Sequence, residues 1–219
     1  MEKIFRHLTV VLLLISLFPV VCFGQQEISG PQSGTLGPGI YLVVGDIQVE
    51  AGETLTIEPG TTFKHASGNY IWEIHGAFNA IGTISDSIYF VSDDGVSQLN
   101  RWSGLRFQPD ASAAMMNYCV VDNAFVDVDL NAFNYFAALN YWKGEGITIK
   151  HCRVSNNYST YYGGGICISD GYAHIDSCLV VNNYQSNHGD GVGIYILHTD
   201  DSYISNSIIA FNETSLNGS

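Results

Sequence analysis

Short runs in which apolar and polar residues alternate recur along this chain, each closed by Gly, Asn, Asp or Ser. Such runs predict strands of a few residues, because successive side chains on a strand point to opposite faces. A helical period of 3.6 is nowhere sustained. In the C-terminal half the runs line up. Met116-Asn-Tyr-Cys119, Ile149-Lys-His-Cys152, Ile175-Asp-Ser-Cys178 and Ile204-Ser-Asn-Ser207 each lead into a short strand and then Asn. The anchors at 119, 152, 178 and 207 are 33, 26 and 29 residues apart. A second series, Gly104-Leu-Arg-Phe107, Ala138-Leu-Asn-Tyr141, Gly165-Ile-Cys-Ile168 and Gly193-Ile-Tyr-Ile196, recurs after 34, 27 and 28 residues. The two series keep step, and an insertion around Phe125 to Phe136 explains the longer first interval.

A unit of this size cannot bury its own apolar face, so it stacks on its neighbours. Short strands stacked about 4.8 Å apart make a parallel β-solenoid. The Leu-rich consensus of the competing solenoid is missing, and propeller blades need longer units. The N-terminal half repeats more loosely, with Gly52 and Gly76 24 residues apart and Gly60 and Gly82 22 apart. The expected organisation is a signal peptide over 1–24, a lead-in over 25–39, and one solenoid domain over 40–219 of about seven or eight coils.

Three stretches carry a resemblance: Gly45-Asp46 through Gly60, Gly76 through Thr83 with Ser87-Ile-Tyr-Phe90, and Trp102-Ser-Gly-Leu-Arg-Phe107. They resemble coils of secreted bacterial right-handed parallel β-helix proteins of the pectate-lyase-like superfold. That resemblance implies an all-β, right-handed parallel β-helix from about Gly37 onward. It implies little about activity, because the superfold hosts lyases, hydrolases, epimerases and non-enzymatic surface proteins.

The start of the chain changes the picture. Lys3 and Arg6 precede an apolar run from Leu8 to Phe23, and Gly24-Gln25-Gln26 follows. This is the anatomy of a secretory signal with cleavage after Gly24. The run is shorter than a span needs, so no membrane insertion is expected after cleavage, and the mature chain is expected to be secreted or at the cell surface. Composition narrows the partners. Only 8 Lys or Arg face 21 Asp or Glu, for a net charge of −13, and no Lys or Arg follows Arg153. Without a basic stripe, nucleic acid is an unsuitable partner. Cations, neutral polysaccharides and cell-surface glycans suit the charge better.

Four cysteines remain after Gly24, Cys119, Cys152, Cys167 and Cys178, and none has CxxC spacing. Cys119, Cys152 and Cys178, continued by Ser207, are expected to form a buried thiol column, with a Cys152–Cys178 disulfide as the alternative. Asn123, Asn156 and Asn182, with Asn157, Asn183 and Asn212, are expected to form a structural hydrogen-bonded ladder. Tyr158, Tyr161, Tyr162 and Tyr184 lie in Asn-rich turns and are candidates for sugar stacking. Acidic and His residues gather in the last turns. Asp170, Asp190, Asp200 and Asp201 are candidates for Ca²⁺, and Asp170, Asp200, Asp201, His188 and His198 for acid–base work on a glycosidic bond.

The polygalacturonase-type order of motifs is not met: Asp200-Asp201 follows His188-Gly189, and the Asn-Thr-Asp and Arg-Ile-Lys motifs are missing. The expected function is therefore a non-catalytic scaffold that binds glycans or a surface. The alternatives are a Ca²⁺-dependent polysaccharide lyase or glycoside hydrolase, and a structural segment of a larger adhesin. Asn212 closes a coil seven residues before Ser219. The expectation is a fragment, or a chain that self-associates through its C-terminal edge.

Overall fold

The computed structural model describes residues 25–93, 102–127, 137–160, 162–186, 191–199 and 201–215. The expected signal segment lies outside them, as do Tyr161, His188, Asp190 and Asp200. The first strands are β1 (Gln26–Pro31), β2 (Gly34–Leu36), β3 (Gly39–Val49), β4 (Thr54–Ile57), β5 (Thr61–His65), β6 (Trp72–Ile74), β7 (Ala77–Ile81) and β8 (Ile88–Ser92). Then come β9 (Leu105–Phe107), β10 (Ala114–Asn117), β11 (Cys119–Asp122), β12 (Phe125–Val126), β13 (Leu139–Trp142), β14 (Ile147–Lys150), β15 (Arg153–Ser155) and β16 (Tyr158–Ser159). The last are β17 (Ile166–Ser169), β18 (Ala173–Asp176), β19 (Leu179–Val181), β20 (Tyr184–Gln185), β21 (Ile194–Leu197), β22 (Tyr203–Ser205), β23 (Ile208–Ala210) and β24 (Glu213–Thr214).

Each strand pairs in parallel with its equivalent one coil away, giving sheets that run along the solenoid. One sheet stacks seven strands in the order β2-β4-β7-β10-β14-β18-β22, which sets the number of described rungs at seven. A second runs from β21 through β3 to β23. The long β3 joins its two arms, pairing β5 through Gly39–Val43 and β6 through Ile47–Val49. A short third sheet stacks β12, β16, β20 and β24. The 25–39 segment is itself paired, β1 against β3 and β2 against β4.

Register puts like over like. The row Ile57, Ala80, Met116, Ile149, Ile175 faces inward and is closed to solvent. The rows Val49, Ile74, Phe107, Tyr141, Ile168 and Phe63, Phe90, Val121, Val154, Val180 are equally buried. Burial of these rows is the main favourable term in folding. The early rungs fill the interior with rings, Phe63 stacking on Phe90 at 5.2 Å and meeting Trp72 edge-on at 4.9 Å. Later rungs fill it with Ile and Val.

Backbone corners stack as well. Non-glycine residues take left-handed φ in three columns: Asn123, Asn156, Asn182 and Phe211; Tyr118, His151, Ser177 and Asn206; and Lys143, Asp170 and His198. Asn tolerates this region best among residues with a side chain, which explains its place in the first column.

Among the described residues, one imidazole lies in the interior. His65 is fully buried, stacked on Trp102 at 4.2 Å. Trp72 Nε1–H donates to His65 Nε2 at 2.8 Å, so the proton sits on Nδ1 and is donated to the Val91 carbonyl at 2.9 Å. Burial pushes this imidazole down from 6.5 to about 3, against a smaller opposing effect of the Val91 carbonyl. The unfolded chain binds a proton as pH falls through about 6.5, and the folded chain does not. Stability from His65 is therefore complete above pH 6.5 and declines toward pH 3, by up to about 1.4 kcal/mol per pH unit. Urea midpoints measured from pH 7 to pH 4 should fall along this slope, and His65→Gln should flatten it.

Candidate functional site

The first Asn column and the ladder differ by one residue. Asn123, Asn156 and Asn182 hold the left-handed corner. The residues after the corner turn inward, and Asn157 and Asn183 are buried there. Asn157 Oδ1 accepts the Ala124 N–H at 2.9 Å, and its Nδ2 donates to the Val121 carbonyl at 3.2 Å. Asn183 Oδ1 accepts the Asn157 N–H at 3.2 Å and its side-chain amide at 2.9 Å, while Asn183 Nδ2 reaches the Val154 carbonyl at 3.0 Å. Asn212 does the same for Asn183 and Val180. Each Asn thus satisfies buried backbone groups of the rung before it. The first-column side chains lie outside this chain of bonds, and Asn123 and Asn156 donate to Asp122 at 2.7 and 2.8 Å.

The sulfur column sits at the start of the strands that end at the Asn corner, β11, β15 and β19. Cys119 N–H donates to Cys152 Sγ at 3.4 Å, and Cys178 N–H to the Ser207 hydroxyl at 3.0 Å. Cys119, Cys152, Cys167 and Cys178 are free and buried. Burial pushes the Cys152 and Cys167 thiols up. Cys178 is raised first by its hydrogen bond with Cys152 and then by burial. Thiols held protonated in this way are inert as nucleophiles.

The tyrosines meet in the third sheet. Phe125, Tyr158 and Tyr184 stack with centroids 4.9 and 5.2 Å apart, at 12° and 22°. Tyr162 lies elsewhere, stacked on Tyr195 at 5.5 Å. Face-to-face stacking along the solenoid consumes the ring faces of Tyr158, which leaves its edge outward. At the next rung the register position against Tyr184 is Glu213, which carries no ring. There a cavity of ≈ 170 Å³ is lined by Asn182, Asn183, Tyr184, Phe211 and Glu213. An aromatic ring, amide groups and a carboxylate meet in that cavity. It is smaller than the roughly 300–1,000 Å³ of drug-sized pockets and suits a single ring of a ligand.

The acidic candidates are less concentrated. His198 Nδ1 lies 3.4 Å from Asp170 Oδ1, both at left-handed corners of adjacent rungs. Asp201 is exposed. Asp176 is occupied, because Ser205 and Asn206 donate to it at 2.7 and 2.8 Å and hold its carboxyl below the usual range. Among the described residues, no three His, Cys, Asp or Glu are grouped so as to hold a metal.

A family model described as a right handed beta helix region matches residues 35–212. The chain belongs to the right-handed β-helix family. No curated protein and no solved structure gives a significant match. Among the described residues, no helix is long and apolar enough to cross a membrane.

Within this β-helix, one recurring device escapes the sequence reading. A carboxylate at a strand end accepts from a Ser-Asn pair of the next coil: Asp122 from Ser155 (2.6 Å) and Asn156, and Asp176 from Ser205 and Asn206. The signal was Asp in one coil and Ser-Asn one coil later, at two different corners.

Three outcomes follow for the β-helix columns. Asn183→Ala leaves buried groups of Asn157 and Val154 unpaired and should cost about 3 kcal/mol in urea denaturation. Asn182→Ala, which only strains a corner, should cost about 1 kcal/mol. Once residues 1–24 are removed, unreduced denatured protein should titrate four thiols, and a lower count would indicate a cross-link within the column.

Proposed function

We propose that the chain is a secreted or cell-surface β-helix scaffold that binds a glycan without transforming it. The observation that carries this reading is the cavity beside Tyr184. Among the described residues no ring stacks on Tyr184 on the Glu213 side, so that face, with Phe211 lining the same cavity, offers apolar contact to the C–H face of a sugar. Asn182 and Glu213 line the same cavity and supply hydrogen-bonding groups for hydroxyls. The stacked column of Phe125, Tyr158 and Tyr184 holds that ring in place from behind.

Charge favours a neutral ligand. Glu213 lines the cavity, and no Lys or Arg follows Arg153 to clamp an acidic sugar. Among the described residues, the Asp170–His198 pair gives one exposed acid–base couple, and no third His, Cys, Asp or Glu is grouped with it to hold a metal. Glycosidic hydrolysis ordinarily uses two carboxyl groups flanking the bond.

The test is a glycan array followed by calorimetry with the protein purified from culture supernatant. Neutral glycans should bind, Tyr184→Ala should weaken binding about tenfold or more (about 1.4 kcal/mol), and Asp170→Ala should leave it unchanged. Release of reducing ends or unsaturated products, with or without Ca²⁺, lost in Asp170→Ala or Asp201→Ala, would replace this reading with a hydrolase or lyase. Folded protein that binds nothing on the array would favour the structural segment of an adhesin.

A further inference from the structure

Two successive rungs supply the walls of the cavity beside Tyr184: Asn182, Asn183 and Tyr184 from one, Phe211 and Glu213 from the next. The Asn183 amide is already spent on Asn157, Asn212 and Val154. Asn182 departs from its column. Asn123 and Asn156 donate to Asp122, but Ser155 and then Val181 hold the positions in register with that carboxylate. The Asn182 amide therefore lacks the clamp its predecessors have. Among the described residues, no hydrogen bond or ion pair engages the side chain of Asn182 or of Glu213. Phe211 is the second departure. It takes the left-handed corner, at φ 56°, that Asn holds in the earlier rungs. Asn tolerates that region, whereas a bulky ring there is strained. A strained residue in a cavity wall points to function at that wall.

The uncommitted chemistry is thus a carboxylate that only accepts, an amide that can donate, and two rings. We propose that the cavity receives the acetamido group of an N-acetylamino sugar. Its N–H donates to the Glu213 carboxylate, its carbonyl accepts from the Asn182 amide, and its methyl packs on Phe211 while Tyr184 meets the C–H face of the sugar. A plain hydroxyl satisfies the polar pair but leaves the second ring without an apolar partner. A trans amide also sends its N–H and C=O in opposite directions, toward residues on different rungs. The group is uncharged, in keeping with the lack of Lys and Arg after Arg153, and small enough for ≈ 170 Å³. This inference rests on the glycan reading above and names the class of sugar. A bond from an N–H to an ionised acceptor is stronger than a neutral one, so Glu213 carries the selectivity.

The probes are methyl glycosides of N-acetylglucosamine and N-acetylgalactosamine, each with its 2-hydroxy and 2-amino counterpart. They are titrated into the full chain by calorimetry and observed by saturation-transfer NMR. One acetamido sugar or both should bind about tenfold more tightly than the 2-hydroxy counterpart. The strongest saturation should fall on the acetamido methyl. Glu213→Ala should abolish the preference and leave the 2-hydroxy sugar unchanged. Phe211→Asn restores the residue of the column. It should weaken the acetamido sugar about fourfold, the worth of one buried methyl, without lowering the urea midpoint, so that lost binding is not lost fold. Equal binding of acetamido and 2-hydroxy sugars, tighter binding of the 2-amino sugar, or a preference that survives Glu213→Ala would overturn this inference and leave the glycan reading standing. Binding of no sugar, in these titrations and on the array, would remove both.

Discussion

Parallel pairing of each strand with its equivalent one coil away is the constraint on which the rest of this molecule depends. It sets about 4.8 Å between equivalent residues and leaves no freedom to offset them. Every side chain therefore has its own homologue as nearest neighbour above and below. Apolar residues gain from this at once, since identical shapes at a fixed spacing pack without voids. Polar residues that recur from rung to rung inside are satisfied where they can bond to their own kind. Asn can, because one amide group both donates and accepts. Asn157, Asn183 and Asn212 fill that role, and the thiols of Cys119 and Cys152, followed by Cys178 and Ser207, fill a weaker version of it.

The same constraint decides what the surface can offer. Stacked rings spend their faces on each other, so a column of tyrosines is a poorer sugar platform than its composition suggests. Among the described residues, the stack of rings ends where the column is interrupted, as between Tyr184 and Glu213. Carboxylates follow a parallel logic. Asp122 and Asp176 are tied down by Ser and Asn of the next coil, whereas Asp170 meets Ser169 of its own strand and His198 of the next rung.

The coil spacing was legible because strand alternation and turn residues repeat with nearly constant intervals, as at Cys119, Cys152, Cys178 and Ser207. The role of each Asn was not legible. Asn156-Asn157 and Asn182-Asn183 are doublets in which one member holds a left-handed corner and the other bonds inward, and a single residue of register separates the two. The strands β12, β16, β20 and β24 were invisible because two residues carry no period. The interior site of His65 escaped notice because its partners, Trp72 and Trp102, come from other strands and loops. The cavity beside Tyr184 depends on Glu213, one coil further on, where a fourth ring would have closed it.

The direction of the Asn ladder has a consequence for how such chains evolve. Each rung carries the acceptor for the amide of the rung before it and presents an equivalent amide to the rung after. Adding or deleting one whole rung therefore changes donors and acceptors in equal number and leaves the buried polar balance untouched. Duplication in units of a coil is close to neutral for folding, whereas an insertion of a few residues is tolerated only at corners that lead outward. Length in this architecture is an evolutionary variable of its own, free to drift without a redesign of the interior.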